Sequence, residues 1–185
     1  MQQLSDRQTG PDARSQQPDR KTGPTARSYP LSIENVTKSY GGATVVDDLS
    51  FVVEPGRVTG FLGPNGAGKS TTMKILLGLA SPTSGRATIG DAAYVELTDP
   101  TRTVGASVEA DAFHPGRSGR NHLRILADAT DTPLERVDEV LEMVDLSAAA
   151  HRRAGAYSLG MKQRLGLAAA LLCDPPVLVL DEPTN

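Results

Sequence analysis

Gly63-Pro64-Asn65-Gly66-Ala67-Gly68-Lys69-Ser70, followed by Thr71-Thr72, fits the pattern G-x-x-x-x-G-K-[ST] at every fixed position. Val58-Thr59-Gly60-Phe61-Leu62 reads as a short buried strand running in, and Lys69 to Leu79 reads as a helix running out. Gly63, Gly66 and Gly68 would let the backbone wrap close to phosphate oxygens in conformations that a Cβ hinders. Successive N–H groups and the helix N-terminus then face the anion with partial positive charge. Lys69 can reach the terminal phosphates and act in catalysis, and the Ser70 hydroxyl can sit on Mg²⁺. An ordinary glycine-rich turn before a helix is the bland alternative, and the strand and helix flanks argue against it. The stretch from Gly63 through Thr71 is expected to bind a nucleoside triphosphate.

The rest of the composition narrows the class. The 185 residues suit one domain with a real core, and a net charge of −3 gives no global sign of nucleic-acid binding. Trp is absent and aromatics are few, which weakens any case for base stacking along a strand. Cys173 is the single cysteine, so no internal disulfide is possible and a reducing compartment is the natural expectation. No N-terminal apolar segment resembles a signal peptide, and the longest apolar run, around Leu165 to Cys173, is too short to cross a bilayer. The expectation is a soluble protein or one peripheral to a membrane.

Residues 1–28 differ in kind. Asp6 to Ser15 recurs as Asp19 to Ser28, with eight of ten positions identical at a spacing of thirteen. Such a segment has almost no apolar side chains to offset its ordering entropy, so a disordered tail is expected. Its charge of +2 leaves −5 on the remainder. Tethering to anionic headgroups is the functional alternative, but the usual basic clusters are missing.

The folded part is expected over 29–185. Leu31 to Thr37 alternates at period two, Lys38 to Gly42 turns, and Thr44 to Val53 continues as a second strand. Short strands are predicted at Arg86–Ile89 and Thr103–Val108, and helical spacing at Ser118–Ala129, Pro133–Val144 and Gly160–Cys173. Pro175-Pro176 stops the last helix, and the fully apolar Val177-Leu178-Val179-Leu180 predicts a buried strand. The order implies an α/β core with an antiparallel β subdomain at its N-terminal side and an inserted helical subdomain at about 110–172.

Asp181 and Glu182 end that last strand, where α/β sheets place their ligands. Asp181 has the position of the Mg²⁺-holding acid of P-loop NTPases, and Glu182, pointing elsewhere, can orient or deprotonate an attacking water. A solvated strand end is the bland reading of two acids after an apolar run. Coupling to the phosphate loop makes the functional one stronger.

Tyr157-Ser158-Leu159-Gly160-Met161-Lys162-Gln163-Arg164-Leu165-Gly166-Leu167-Ala168 lies just upstream and resembles the signature of ATP-binding cassette (ABC) ATPases. Met161 stands where the signature usually has a second glycine, while Ser158 and Gly160 remain. Ser158 offers an N-cap hydroxyl, and Gly160 allows a phosphate to approach the helix N-terminus. The resemblance covers roughly Leu31 to Asn185. It implies a P-loop NTPase core in which Tyr40 stacks on adenine. Glu109 would stand where most members carry the glutamine that senses γ-phosphate, metal and water; as an acid it keeps an oxygen ligand for Mg²⁺ but loses the amide donor. Asp111-Ala112-Phe113-His114-Pro115 resembles a bacterial exporter branch for peptide antibiotics and drugs. His114, His122 and His151 show no metal-ligand spacing and are given no role.

The resemblance further implies two ATP-binding subunits that sandwich ATP and Mg²⁺, with each Walker set facing the partner's Ser158 and Gly160. It also implies a separate transmembrane permease subunit and a place in the cytoplasm, peripheral on the membrane face. The chain stops at Asn185, before the family's D-loop, switch histidine and closing strands, so a fragment or a truncated product is expected. Three functions follow: the ATPase subunit of an ABC exporter, a soluble ABC ATPase outside transport, or a nucleotide-binding fragment without turnover. The transported substrate is not legible.

Overall fold

The computed structural model describes residues 29–109 and 113–181. The predicted tail and its repeat therefore lie outside the described residues, as do Asp111, Ala112 and Glu182 to Asn185. β1 (Leu31–Tyr40) and β2 (Ala43–Val53) form an antiparallel hairpin, with β3 (Ser84–Ile89) on the other side of β1. Gly41 and Gly42 both take positive φ in the two-residue turn, which is the twist a tight hairpin requires. β1 runs three residues beyond the predicted Thr37, because pairing with β2 continues through Tyr40 opposite Ala43. The period-two expectation does not hold through β1: the buried residues are Ile33 and Val36, three apart, because a register shift lies between them and Asn35 takes a positive φ.

The second sheet is parallel. β4 (Val104–Ser107) pairs with β5 (Val177–Leu180), Val104 opposite Val177 and Ser107 opposite Leu180. Between β2 and β4 come α1 (Lys69–Leu76) and α2 (Pro100–Thr103). The α2 turn escaped the sequence reading; Asp99 caps it, accepting the Arg102 N–H, and Pro100 supplies a preset φ at its first position. α1 stops at Leu76 rather than Leu79. Gly78, at φ +68, lets the Gly78 N–H reach the Ile75 carbonyl and the Leu79 N–H reach that of Lys74, a Schellman close. Ile75, Leu76, Val46, Ile89, Val104 and Val179 share one core, so α1 is clamped between the two sheets.

α3 (Gly119–Ala129), α4 (Glu135–Met143) and α5 (Leu159–Leu171) build a second core from Leu123, Val137, Val140, Leu141, Leu165 and Leu172. α5 joins the two halves. A Cβ on Gly105 of β4 would collide with the Ala170 carbonyl of α5, so only glycine permits that approach.

Two sequence expectations are corrected here. Val58 to Leu62 forms no strand; Val58 and Leu62 are 105% and 91% exposed, and only Phe61 is held, its ring centroid 5.3 Å from that of Phe51. β5 forms as predicted, yet it is not buried throughout: Val179 is, whereas Leu178 is 42% exposed. Both follow from one cause. Apolar content gives a strand its tendency, but a strand exists only where a neighbour takes its backbone hydrogen bonds. Among the described residues the parallel sheet has two strands, and nothing pairs with 58–62.

Candidate functional site

The loop between Gly63 and Lys69 closes around its own lysine. Ala67 N–H donates to the Pro64 carbonyl at 3.2 Å, and Lys69 Nζ donates to the carbonyls of Gly63 at 2.7 Å and Pro64 at 2.9 Å. An ammonium has three donors, so two of them brace the loop. Gly66 and Gly68 have φ of +84° and +82°, the left-handed region. Gly68 is also packed: a Cβ there would stand 2.5 Å from the Val45 oxygen and 2.8 Å from Val46 Cγ2. Gly63 does not share this need, since it lacks a positive φ and its nearest Cβ contact would be an ordinary 3.4 Å to Ala67.

Gly68 is the N-cap of α1, with no side-chain cap and no acid in the first turn. The orphan N–H groups of that turn therefore keep their positive end for an external acceptor. They open onto a cleft of about 290 Å³ lined by Val45, Asn65, Gly66, Gly68, Lys69, Ser70 and Thr71. A pocket of backbone donors and one ammonium can bind phosphate oxygens.

The parallel sheet meets this loop at Ser70. Asp181 N–H donates to the Ser107 carbonyl at 2.8 Å, which fixes the ends of β4 and β5 together. Ser70 Oγ donates to Asp181 Oδ2 at 2.5 Å, a charge-assisted bond between residues 111 apart in sequence. Hydroxyl and carboxylate are hard oxygen donors, the set Mg²⁺ takes while keeping waters and phosphate oxygens as its other ligands. Among the described residues no three His, Cys, Asp or Glu side chains cluster, so an all-protein cage is not offered. Ser70 and Asp181 fit Mg²⁺ held jointly with a nucleotide.

Glu109 follows β4 and pairs with Lys74 of α1, Oε1 to Nζ 2.8 Å, both side chains partly exposed. The hydrogen bond to Lys74 and its charge lower the Glu109 carboxyl below the usual range, and Glu109 raises the lysine in return. The structure thus sets Glu109 one helical turn along α1 from Ser70, on a lysine that the sequence reading passed over. Its signal was available: Lys74 is four residues after Ser70, hence on the same helix face.

Tyr40 ends β1, 52% exposed, with Lys38 Nζ 4.6 Å from its ring centroid; Lys38 Nζ also donates to the Ser81 carbonyl at 2.7 Å. Ser158 and Gly160 stand apart from the cleft at the start of α5. Ser158 Oγ accepts the Met161 N–H at 3.3 Å, and a Cβ on Gly160 would meet nothing within 4 Å. The preceding Tyr157 is buried, its hydroxyl donating to the Ala149 carbonyl at 2.8 Å. The helix end is therefore anchored from beneath and open above. Neither Tyr40, Ser158 nor Gly160 lines the cleft. Glu182, the expected base, lies outside the described residues.

Comparison with known proteins places this geometry. The family model described as ABC transporter matches residues 46–185. The uncharacterized ABC transporter ATP-binding protein YhcH of Bacillus subtilis is 45% identical over 157 residues, 84% of this chain and 52% of that protein. The bacitracin transport ATP-binding protein BcrA of Bacillus licheniformis is 44% identical over 157 residues, 84% of this chain and 51% of that one. The Nod factor export ATP-binding protein I of Burkholderia pseudomallei is 40% identical over 161 residues, 84% and 53% of the two chains. The chain thus spans about half the length of the curated relatives it matches. Among solved structures, an ATP-binding subunit of an ABC transporter superposes with a TM-score of 0.72 at 28% identity, covering 83% of this chain and 66% of that one. A dimeric ATP-binding cassette bound to ADP and Pi shares the fold, with a TM-score of 0.74 at 24% identity over 83% of this chain and 74% of that one. On the family match, the relatives and the fold together, this chain belongs to the ABC transporter family.

Proposed function

We propose that the chain binds Mg-ATP and hydrolyses it to drive export through a separate transmembrane permease subunit, working with a second ATP-binding subunit on the cytoplasmic face of the membrane. The observation that carries this reading is the Ser70–Asp181 contact at the mouth of a loop already braced around Lys69. The loop N–H groups and Lys69 take the phosphates, Tyr40 takes the base, and Ser70 with Asp181 holds the metal. When bound there, Mg²⁺ would neutralise and orient the phosphate oxygens. Glu182 is assigned the attacking water, and Glu109 the sensing position beside the metal. The open N-terminus of α5, set away from its own cleft, suits a role toward the partner subunit's nucleotide. Transport is supported by the name of the bacitracin relative, and its outward direction by that of the Nod factor export relative.

The test is calorimetry of ATP binding with and without Mg²⁺. Ser70→Ala and Asp181→Asn are expected to lose the Mg²⁺-dependent part of the affinity while melting within a few degrees of wild type. Unchanged Mg²⁺ dependence in both would refute the site. Co-expression with a membrane protein of about six long apolar helices should carry the chain into the membrane fraction. A chain that stays behind refutes the partnership.

A further inference from the structure

The face of α1 that meets the parallel sheet makes two rungs. Ser70 and Lys74 lie four residues apart, one turn along the same face. Ser70 reaches Asp181, at the end of β5; Lys74 reaches Glu109, two residues beyond the end of β4. The two strand ends are themselves locked by the Asp181–Ser107 backbone bond. Two acids are thus held one helical turn apart on α1, beyond the loop that Lys69 braces, and Lys74 responds to the charge of Glu109 and, less, to that of Asp181.

We propose that Lys74 is a positioning residue for the metal-nucleotide site: a tethered counter-cation that holds the Glu109 carboxylate and sets how strongly nucleotide binding depends on Mg²⁺. A neutral amide at position 109 would need no such partner. A carboxylate adds a second negative charge where nucleotide phosphates arrive, which repels free ATP and attracts a divalent cation. Lys74 offsets that charge, and its aliphatic stem, part of α1, keeps the head over Glu109. With Lys74 in place the metal competes with an ammonium for Glu109; without it, the carboxylate is left to the metal.

This inference rests on the Mg-ATP reading above, and the experiment separates the two. Equilibrium binding of Mn²⁺, followed by its electron paramagnetic signal with ATP present, and binding of ATP in EDTA would be measured for wild type, Lys74→Met, Glu109→Gln and the double variant. Lys74→Met is expected to tighten Mn²⁺ and weaken free ATP, each by about two- to fivefold, the range of one partly exposed ion pair. Glu109→Gln is expected to move both in the opposite direction, and the double variant to return near wild type. Lys74→Arg, which preserves the charge, should behave as wild type. Thermal melting of each variant reports folding separately, so a loss of binding through unfolding is recognised. Equal Mn²⁺ and ATP affinities across the four proteins, or single-variant shifts of the same sign, would overturn the role of Lys74 while leaving the nucleotide site intact. A wild-type chain that binds no ATP at all would overturn both readings.

Discussion

Gly68→Ala is expected to injure the chain more than Gly66→Ala, although both glycines have nearly the same backbone conformation. Their φ values are +82° and +84°, so each alanine would bear the left-handed penalty of about 1–2 kcal/mol. Gly66 faces open space, with nothing within 4 Å of a Cβ, and that penalty is the whole cost. At Gly68 the new methyl would lie 2.5 Å from the Val45 oxygen and 2.8 Å from Val46 Cγ2, both on β2. Backbone oxygen cannot rotate away, so β2 and α1 must separate, at an overpacking cost of about 1–3 kcal/mol more. For a chain of this size 1 kcal/mol moves the melting temperature by about 2–4 °C. Gly68→Ala should therefore melt about 2–12 °C below Gly66→Ala. Val45 also lines the cleft, so its displacement should weaken ATP by at least about tenfold, near 1.4 kcal/mol. Differential scanning calorimetry and ATP titration of the two variants measure this. Equal melting temperatures, or wild-type ATP affinity in Gly68→Ala, would refute the argument from the Val45 contact.

Other outcomes follow from single contacts. Lys69→Ala removes both struts to the Gly63 and Pro64 carbonyls and the ammonium facing the cleft, so ATP binding should vanish in calorimetry while circular dichroism shows the fold kept. Ser158→Ala deletes the cap on Met161 N–H and should cost about 1 kcal/mol, visible as a small drop in melting temperature, with ATP affinity of the isolated chain unmoved because Ser158 does not line the cleft. His122 is half-buried against Phe113, and burial together with Arg117 lowers its pKa. The unfolded chain then takes up that proton first, so stability should fall as pH drops below the ordinary histidine range. His122→Phe should flatten the dependence between about pH 7 and 5.5; an unaltered slope in melting experiments would remove His122 from the account.

Legibility tracked the range of the physics involved. The helices over 119–129, 135–143 and 159–171 showed as apolar spacing because each buries one face in the common core, and their ends differ from the reading by one or two residues at capping positions such as Ser118 and Ser158. The phosphate loop was legible because its chemistry restricts residue type: the left-handed backbone of 66 and 68 favours glycine, the packing at 68 demands it, and a long cation braces the loop. α2 was missed since four residues carry no period, though Asp99 before Pro100 was a usable signal.

What the sequence alone determined is thus whatever is fixed within a few residues along the chain: the Gly63–Ser70 loop, the helix after it, an apolar β5 ending in acid, and the Ser158-capped α5. The tertiary structure decided everything that depends on a distant neighbour. It set Ser70 on Asp181 across 111 positions, gave Glu109 to Lys74, and left Ser158 and Gly160 outside the cleft's lining. It also left Val58 and Leu62 exposed despite their apolar character, because a side chain states a preference for burial and only a paired backbone and a packed face can satisfy it.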